Sequence, residues 1–142
     1  MDIPPKVLHV SFECLTVAAE LIAMDNYKII GRIKEQNLLE SLCDKPSAQL
    51  IAIYGRRRVG KTYLVKCFFN NDFDFFFTGS YNVPTQVQLG LFRNALQEYS
   101  HTPQPNFNSW FEAFDALKTY LSTLKKERVG VFIDEIPWMD MP

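Results

Sequence analysis

Apolar positions along this chain switch between helical and strand-like spacing, and each switch marks an element. Ile33 to Leu42 carries Leu38, Leu39 and Leu42, which predicts a helix with these three on one face. Lys28 to Arg32, just before it, reads as a short extended run into a turn. Gln49-Leu50-Ile51-Ala52-Ile53-Tyr54 is almost continuously apolar, the pattern of a parallel strand buried on both faces. Gly55 to Gly60 is a loop, and Lys61 to Phe69 predicts a second helix with Leu64, Val65 and Phe68 inward. Asn70-Asn71-Asp72 is a turn, and Phe73 to Thr78 predicts a second strand. Pro84 can open a helix at no cost in hydrogen bonds, and Val87, Leu91, Ala95 and Tyr99 then repeat every four residues as its inner face. His101 to Asn108 is a polar loop. Ser109 and Glu112 have capping-box spacing, so a helix starts there, with Trp110, Phe114, Leu117, Leu121 and Leu124 as its apolar positions. Lys125, Lys126 and Arg128 stand at its end, where cations oppose the helix dipole. Val129 to Ile133 predicts a third strand, ending in Asp134-Glu135. Strands alternating with helices define an α/β chain with a parallel sheet.

Residues 1–26 stand outside this order as an N-terminal extension. Leu15 to Ala23 reads equally as a short helix or as part of an upstream segment before a start at Met24. Composition excludes several classes. The chain has 142 residues and a net charge of -1, which argues against a globally basic nucleic-acid binder. Three scattered cysteines, Cys14, Cys43 and Cys67, suit a reducing cytosol better than a disulfide scaffold, and no metal-ligand spacing involves them or His9 and His101. The longest apolar stretch, Val7 to Met24, is interrupted by Glu13 and Glu20, so neither a spanning helix nor a signal peptide is expected, and the expected location is cytoplasmic. The phenylalanine excess, 12 residues, concentrates around Phe73 to Phe77 and reads as sheet core rather than as a binding stripe.

The chemistry is concentrated in Gly55-Arg56-Arg57-Arg58-Val59-Gly60-Lys61-Thr62. In a Gly-x4-Gly-Lys-Thr loop between a strand and a helix, backbone N–H groups turn inward around a polyphosphate. Terminal glycines permit positive φ, and the following helix points its positive end at the anion. Lys61 then reaches the β- and γ-phosphates, and the Thr62 hydroxyl ligates Mg2+. Given ordinary residue usage, the pattern arises by chance in well under ~1% of chains this long. Gly55, Arg56, Arg57, Arg58, Val59, Gly60, Lys61, Thr62 and Tyr63 form the expected nucleotide-binding set. The three arginines either cover the loop exterior, add positive charge for the phosphates, or contact another subunit or nucleic acid.

Asp134 and Glu135 follow an apolar run, the position at which a P-loop NTPase places a magnesium-holding acid and a water-orienting carboxylate. Asp134 is the candidate for the first role and Glu135 for the second. By itself the pair also reads as a helix start before Pro137. Two parallel strands would bring Lys61, Thr62, Asp134 and Glu135 to one sheet edge.

With these segments in view, the chain resembles the prokaryotic archaeal-type ATPases, AAA-like P-loop proteins related to the STAND group. Ile30-Gly31-Arg32-Ile33-Lys34-Glu35 is similar to that family's Gly-Arg-x-x-Glu box, which lies near the adenine. Trp110-Phe111-Glu112-Ala113-Phe114 and Val131-Phe132-Ile133-Asp134-Glu135-Ile136-Pro137-Trp138 resemble its pre-Walker B helix and its Walker B segment. The resemblance spans 27–142 and implies a three-layer P-loop fold, ATP binding and Mg2+-dependent hydrolysis as a switch or motor. It adds Gly31 and Arg32 to the nucleotide site and assigns catalysis to Lys61 and Glu135.

Family members resemble a sheet ordered 5-1-4-3-2, and this chain supplies only the first three strands before Pro142. The domain is therefore expected to be incomplete at its C-terminus, as a fragment or truncated product. Either a gap lies beside the P-loop strand or strands 1 and 3 pair directly. The alternative reading is a chain that binds ATP without hydrolysing it. A small-molecule kinase fits less well, because no lid arginines follow the third strand. Expected partners besides ATP are a second copy or another protein; nucleic acid enters only through C-terminal regions that relatives carry, and no membrane is involved.

Overall fold

The computed structural model describes residues 29–139. The expectations for residues 1–26 lie outside them. Four α-helices and two strands follow in the order α1 (Ile33–Cys43), α2 (Lys61–Phe68), β1 (Phe75–Thr78), α3 (Thr85–Ser100), α4 (Trp110–Thr123) and β2 (Val131–Asp134). A 3-10 turn, Ile136–Trp138, comes after β2. The chain is α/β. It divides into two compact units: one runs to Asp72 and takes in Glu127–Gly130, and the other combines Phe73–Lys126 with the stretch from Val131.

In the second unit β1 and β2 pair in parallel, Phe75 opposite Val131 and Thr78 opposite Asp134. Phe75 and Phe77 share one face by the period-2 rule and are buried, whereas Phe76 faces the other way and is half-buried. The buried face packs on α3, and α3 packs on α4. Phe92, with no exposed surface, is the hub of this core. Its ring lies 5.1 Å from those of Phe75 and Phe77, and 5.6 Å from Trp110 and Phe114. Most of these contacts are edge-on or tilted, the arrangement that aromatic quadrupoles favour.

Helix α4 starts as its cap predicts. The Ser109 hydroxyl accepts the Glu112 N–H at 3.3 Å, while the Glu112 carboxylate reaches one residue further back than a standard capping box, to the Asn108 N–H at 2.8 Å. The cations after α4 do something other than oppose its dipole. Lys126 pairs with Asp74 at 2.5 Å and Tyr120 donates to the Asp74 carbonyl at 3.2 Å, so the exit of α4 is tied to the entry of β1. In the first unit the Arg128 guanidinium donates to the Cys43 carbonyl at 2.8 Å, satisfying an orphan acceptor at the end of α1.

Two expectations are corrected. Gln49–Tyr54 forms no strand; it lies outside the β1–β2 ladder and is largely exposed, Leu50 at 98% and Tyr54 at 93%. Strand geometry needs a ladder neighbour for its N–H and C=O groups, and none is present among the described residues. Helix α3 turns a different face inward: Gln88, Leu89, Phe92 and Leu96 are buried, while Val87 and Leu91 are exposed. Apolar residues stand on both sides of α3, and the buried stripe contains a polar residue that a hydrophobicity pattern assigns to solvent. The same shift makes Cys43 rather than Leu38 part of the α1 inner face, and Cys67 part of that of α2.

Phe92→Ala is expected to cost about 3–5 kcal/mol, as for a deleted core aromatic, whereas Val87→Ala costs under about 0.5 kcal/mol. Chemical denaturation of both variants checks the observed face against the four-residue repeat. Burial, and secondarily Asp44, pushes the Cys43 thiol up. The unfolded thiol ionises first, near the ordinary value of about 8.5, so stability is level below that pH and falls as pH rises toward the higher folded value. Denaturation at neutral and alkaline pH should show this decline, and Cys43→Ala should reduce it.

Candidate functional site

Around the glycine-rich loop, left-handed backbone does most of the shaping. Gly55 has φ 149°, Arg58 62° and Gly60 78°. Gly60 is the N-cap of α2, and its carbonyl accepts the Leu64 N–H at 3.0 Å, starting the helix. A Cβ on Gly55 would meet nothing within 4 Å, and one on Gly60 would meet only Arg32 Nη2 at 3.8 Å. Glycine is favoured here by dihedral angle rather than by close packing. Residues 52–60 are exposed, and Lys61 and Thr62 half-buried.

Lys61 folds back over the loop. Its Nζ donates to the carbonyls of Gly55 at 3.2 Å and Arg56 at 2.9 Å. The Gly31-Arg32 box joins the same site. Both residues are left-handed, Arg32 caps α1, and its guanidinium donates to the Val59 carbonyl. Gln36 donates to the Gly31 carbonyl at 2.7 Å and fixes that turn. Gly31, Arg32, the loop and Lys61 are thus brought together. Tyr63 points largely outward from α2, and Arg56, Arg57 and Arg58 lie on the exposed loop.

Asp134 and Glu135 belong to the second unit, at the end of β2. Asp134 Oδ1 accepts the Glu135 N–H at 3.0 Å, and the Asp134 carbonyl accepts the Gly79 N–H at 3.0 Å, continuing the ladder by one bond. Glu135 then turns left-handed, φ 52° and ψ 40°, a conformation costing roughly 1–2 kcal/mol for a residue with a Cβ. Its carbonyl accepts the Trp138 N–H at 2.9 Å, closing the 3-10 turn. Gly79 makes this possible: a Cβ there would lie 2.6 Å from the Glu135 carbonyl oxygen and 3.0 Å from Met139 Cγ.

Two supporting residues hold the acidic turn: Gln88, which the sequence does not single out, and Trp110, expected only as an apolar helix position. Gln88 is the one buried polar side chain among the described residues, with no exposed surface, and binds Ser80 and Trp138. Trp110 Nε1 donates to the Met139 carbonyl at 3.1 Å. The available signal for Gln88 was a polar residue inside an otherwise apolar stripe.

Within the first unit, the loop's backbone N–H groups, the Lys61 ammonium and the Thr62 hydroxyl are groups of the kind that suit a polyphosphate. Among the described residues no cluster of three metal-ligating His, Cys, Asp or Glu side chains occurs, and no helix is long and apolar enough to cross a membrane. The chain is similar to an uncharacterized ATP-binding protein, MJ0423, of Methanocaldococcus jannaschii, 48% identical over 42 residues that cover 30% of this chain and 71% of that protein. No family model matches the chain. No solved structure matches it significantly.

Gly79→Ala is expected to destabilise by about 1–3 kcal/mol through overpacking against Glu135. Gly90→Ala, inside α3 with nothing within 4 Å of the new Cβ, is expected to stabilise by about 0.5–1 kcal/mol. Opposite shifts in thermal midpoint check both.

Proposed function

We propose a function from the premise that this chain belongs to the same family as the Methanocaldococcus jannaschii ATP-binding protein: it binds ATP, with Gly55–Gly60 and the start of α2 receiving the phosphates. The observation that carries this reading is the open left-handed loop with the Lys61 ammonium held at its carbonyls. An arriving phosphate offers Lys61 a charged partner in place of two neutral ones, and charge-assisted hydrogen bonds are about twice as strong. Arg32 holds the Val59–Gly60 side of the loop and so presets its curvature.

Hydrolysis of the β–γ bond is the reaction we assign to the site, in the manner of the AAA-like archaeal-type ATPases that the sequence resembles. Glu135 orients a water molecule and takes its proton; the water oxygen bonds to the γ-phosphorus while the bond to the bridging oxygen breaks, and ADP leaves with that electron pair. Lys61 neutralises charge that develops on the phosphates. Thr62 and Asp134 are hard oxygen donors of the type Mg2+ takes, and the ion, when bound, supplies further charge neutralisation. Coupling of this cycle to a partner makes the protein a switch or motor module. A second reading, ATP binding without hydrolysis, is favoured by Gln49–Tyr54, the segment leading into the loop, forming no strand.

Lys61→Ala is expected to weaken ATP binding roughly 10- to 100-fold, the worth of a charged hydrogen bond of about 1.5–3 kcal/mol. Glu135→Gln should keep ATP affinity and slow phosphate release by about 10²–10⁴-fold. Calorimetric binding and a phosphate-release assay on the full chain measure both. Unchanged ATP affinity in Lys61→Ala overturns the loop assignment, and ATP binding without release in the wild type selects the second reading.

A further inference from the structure

We infer that Gln88 is a positioning residue for Glu135, holding the acidic turn in the one backbone conformation that presents its carboxylate. This rests on the hydrolytic reading of Glu135 given above. Three hydrogen bonds converge on the Gln88 side chain. Its Oε1 accepts the Ser80 N–H at 3.0 Å, and its Nε2 donates to the Ser80 carbonyl at 2.6 Å and to the Trp138 carbonyl at 2.7 Å. One acceptor and two donors on a single side chain is the inventory of an amide, and the orientation is unambiguous because one partner is an N–H and two are carbonyls.

These contacts pin Glu135 from both sides. Ser80 follows Gly79, whose Cα is the surface on which the Glu135 carbonyl rests. Trp138 ends the turn, and its own N–H bonds that same carbonyl. With Gln88 in place, neither the floor beneath the Glu135 peptide nor the far end of the turn is able to move independently. Glu135 pays for a left-handed backbone that no glycine relieves, so the turn holds only if its surroundings over-determine it. Tyr81 adds an edge-on contact to the Trp138 ring at 5.5 Å, and Gln88 joins the exit of β1 to the turn after β2 by hydrogen bonds. Fully buried, its hydrogen bonds are shielded from competition by water.

The test uses the full chain and Gln88→Met, which keeps the volume and removes all three bonds. Amide hydrogen exchange across 134–139 should quicken about tenfold or more, with α4 unchanged. Phosphate release should show kcat lowered about tenfold or more and KM for ATP within about threefold, the split expected when an interaction of the transition state alone is lost. In a Glu135→Gln background the same substitution should lower turnover no further, because Gln88 acts through that carboxylate. In the wild type, the Gln88 side-chain amide protons should themselves exchange slowly, a readout that needs no variant. Solvent-rate exchange of those protons, unaltered exchange across 134–139, or a further loss of turnover in the Glu135→Gln background overturns the proposal. A wild type without phosphate release, in which Gln88→Met still loosens 134–139, overturns the hydrolytic reading instead and leaves the hold of Gln88 on the turn established.

Discussion

Parallel pairing between Phe75–Thr78 and Val131–Asp134 is the constraint from which the second unit follows. Two parallel strands cannot be joined by a hairpin, so the chain must leave the end of one and return to the start of the other. It does so through α3, which covers the face carrying Phe75 and Phe77, and α4, which packs on α3. The register then decides the acidic end. Thr78 stands opposite Asp134, so the residues that follow each strand, Gly79 and Glu135, emerge side by side. The absence of a Cβ at Gly79 and the left-handed turn at Glu135 are two halves of one solution to that crowding.

The first unit is organised by backbone angle. Gly31, Arg32, Gly55, Arg58 and Gly60 all take positive φ within a short span of chain. Arg32 links the two turns, because the residue that caps α1 also reaches the loop that caps α2.

What could be read from the sequence divides along physical lines. The glycine-rich loop and the Ser109 cap were legible because each encodes a local backbone requirement at fixed spacing, whereas Gly31 and Arg32 entered only through a family resemblance. The strand Phe75–Thr78 and the start of α4 were legible for related reasons: strand-forming aromatics in one case, a capping pair in the other. Gln49–Tyr54 was misread because an apolar run reports readiness to be buried, while a strand also needs a neighbour. The inner face of α3 was misread because Val87 and Leu91 compete with Leu89 and Phe92 on the same hydrophobicity scale. Gln88 was invisible to that scale altogether, since its burial depends on three hydrogen-bond partners distant in sequence.

Both tryptophans of the chain, Trp110 and Trp138, meet at the acidic turn: one donates its indole N–H to Met139, and the other closes the turn itself. The glycine-rich loop has none. The protein's intrinsic fluorescence is consequently a local optical probe. Trp138 follows the packing of the turn after Asp134, and Trp110 follows both that turn and the Phe77–Phe92–Phe114 core, so rearrangement within the second unit is visible in the unlabelled chain.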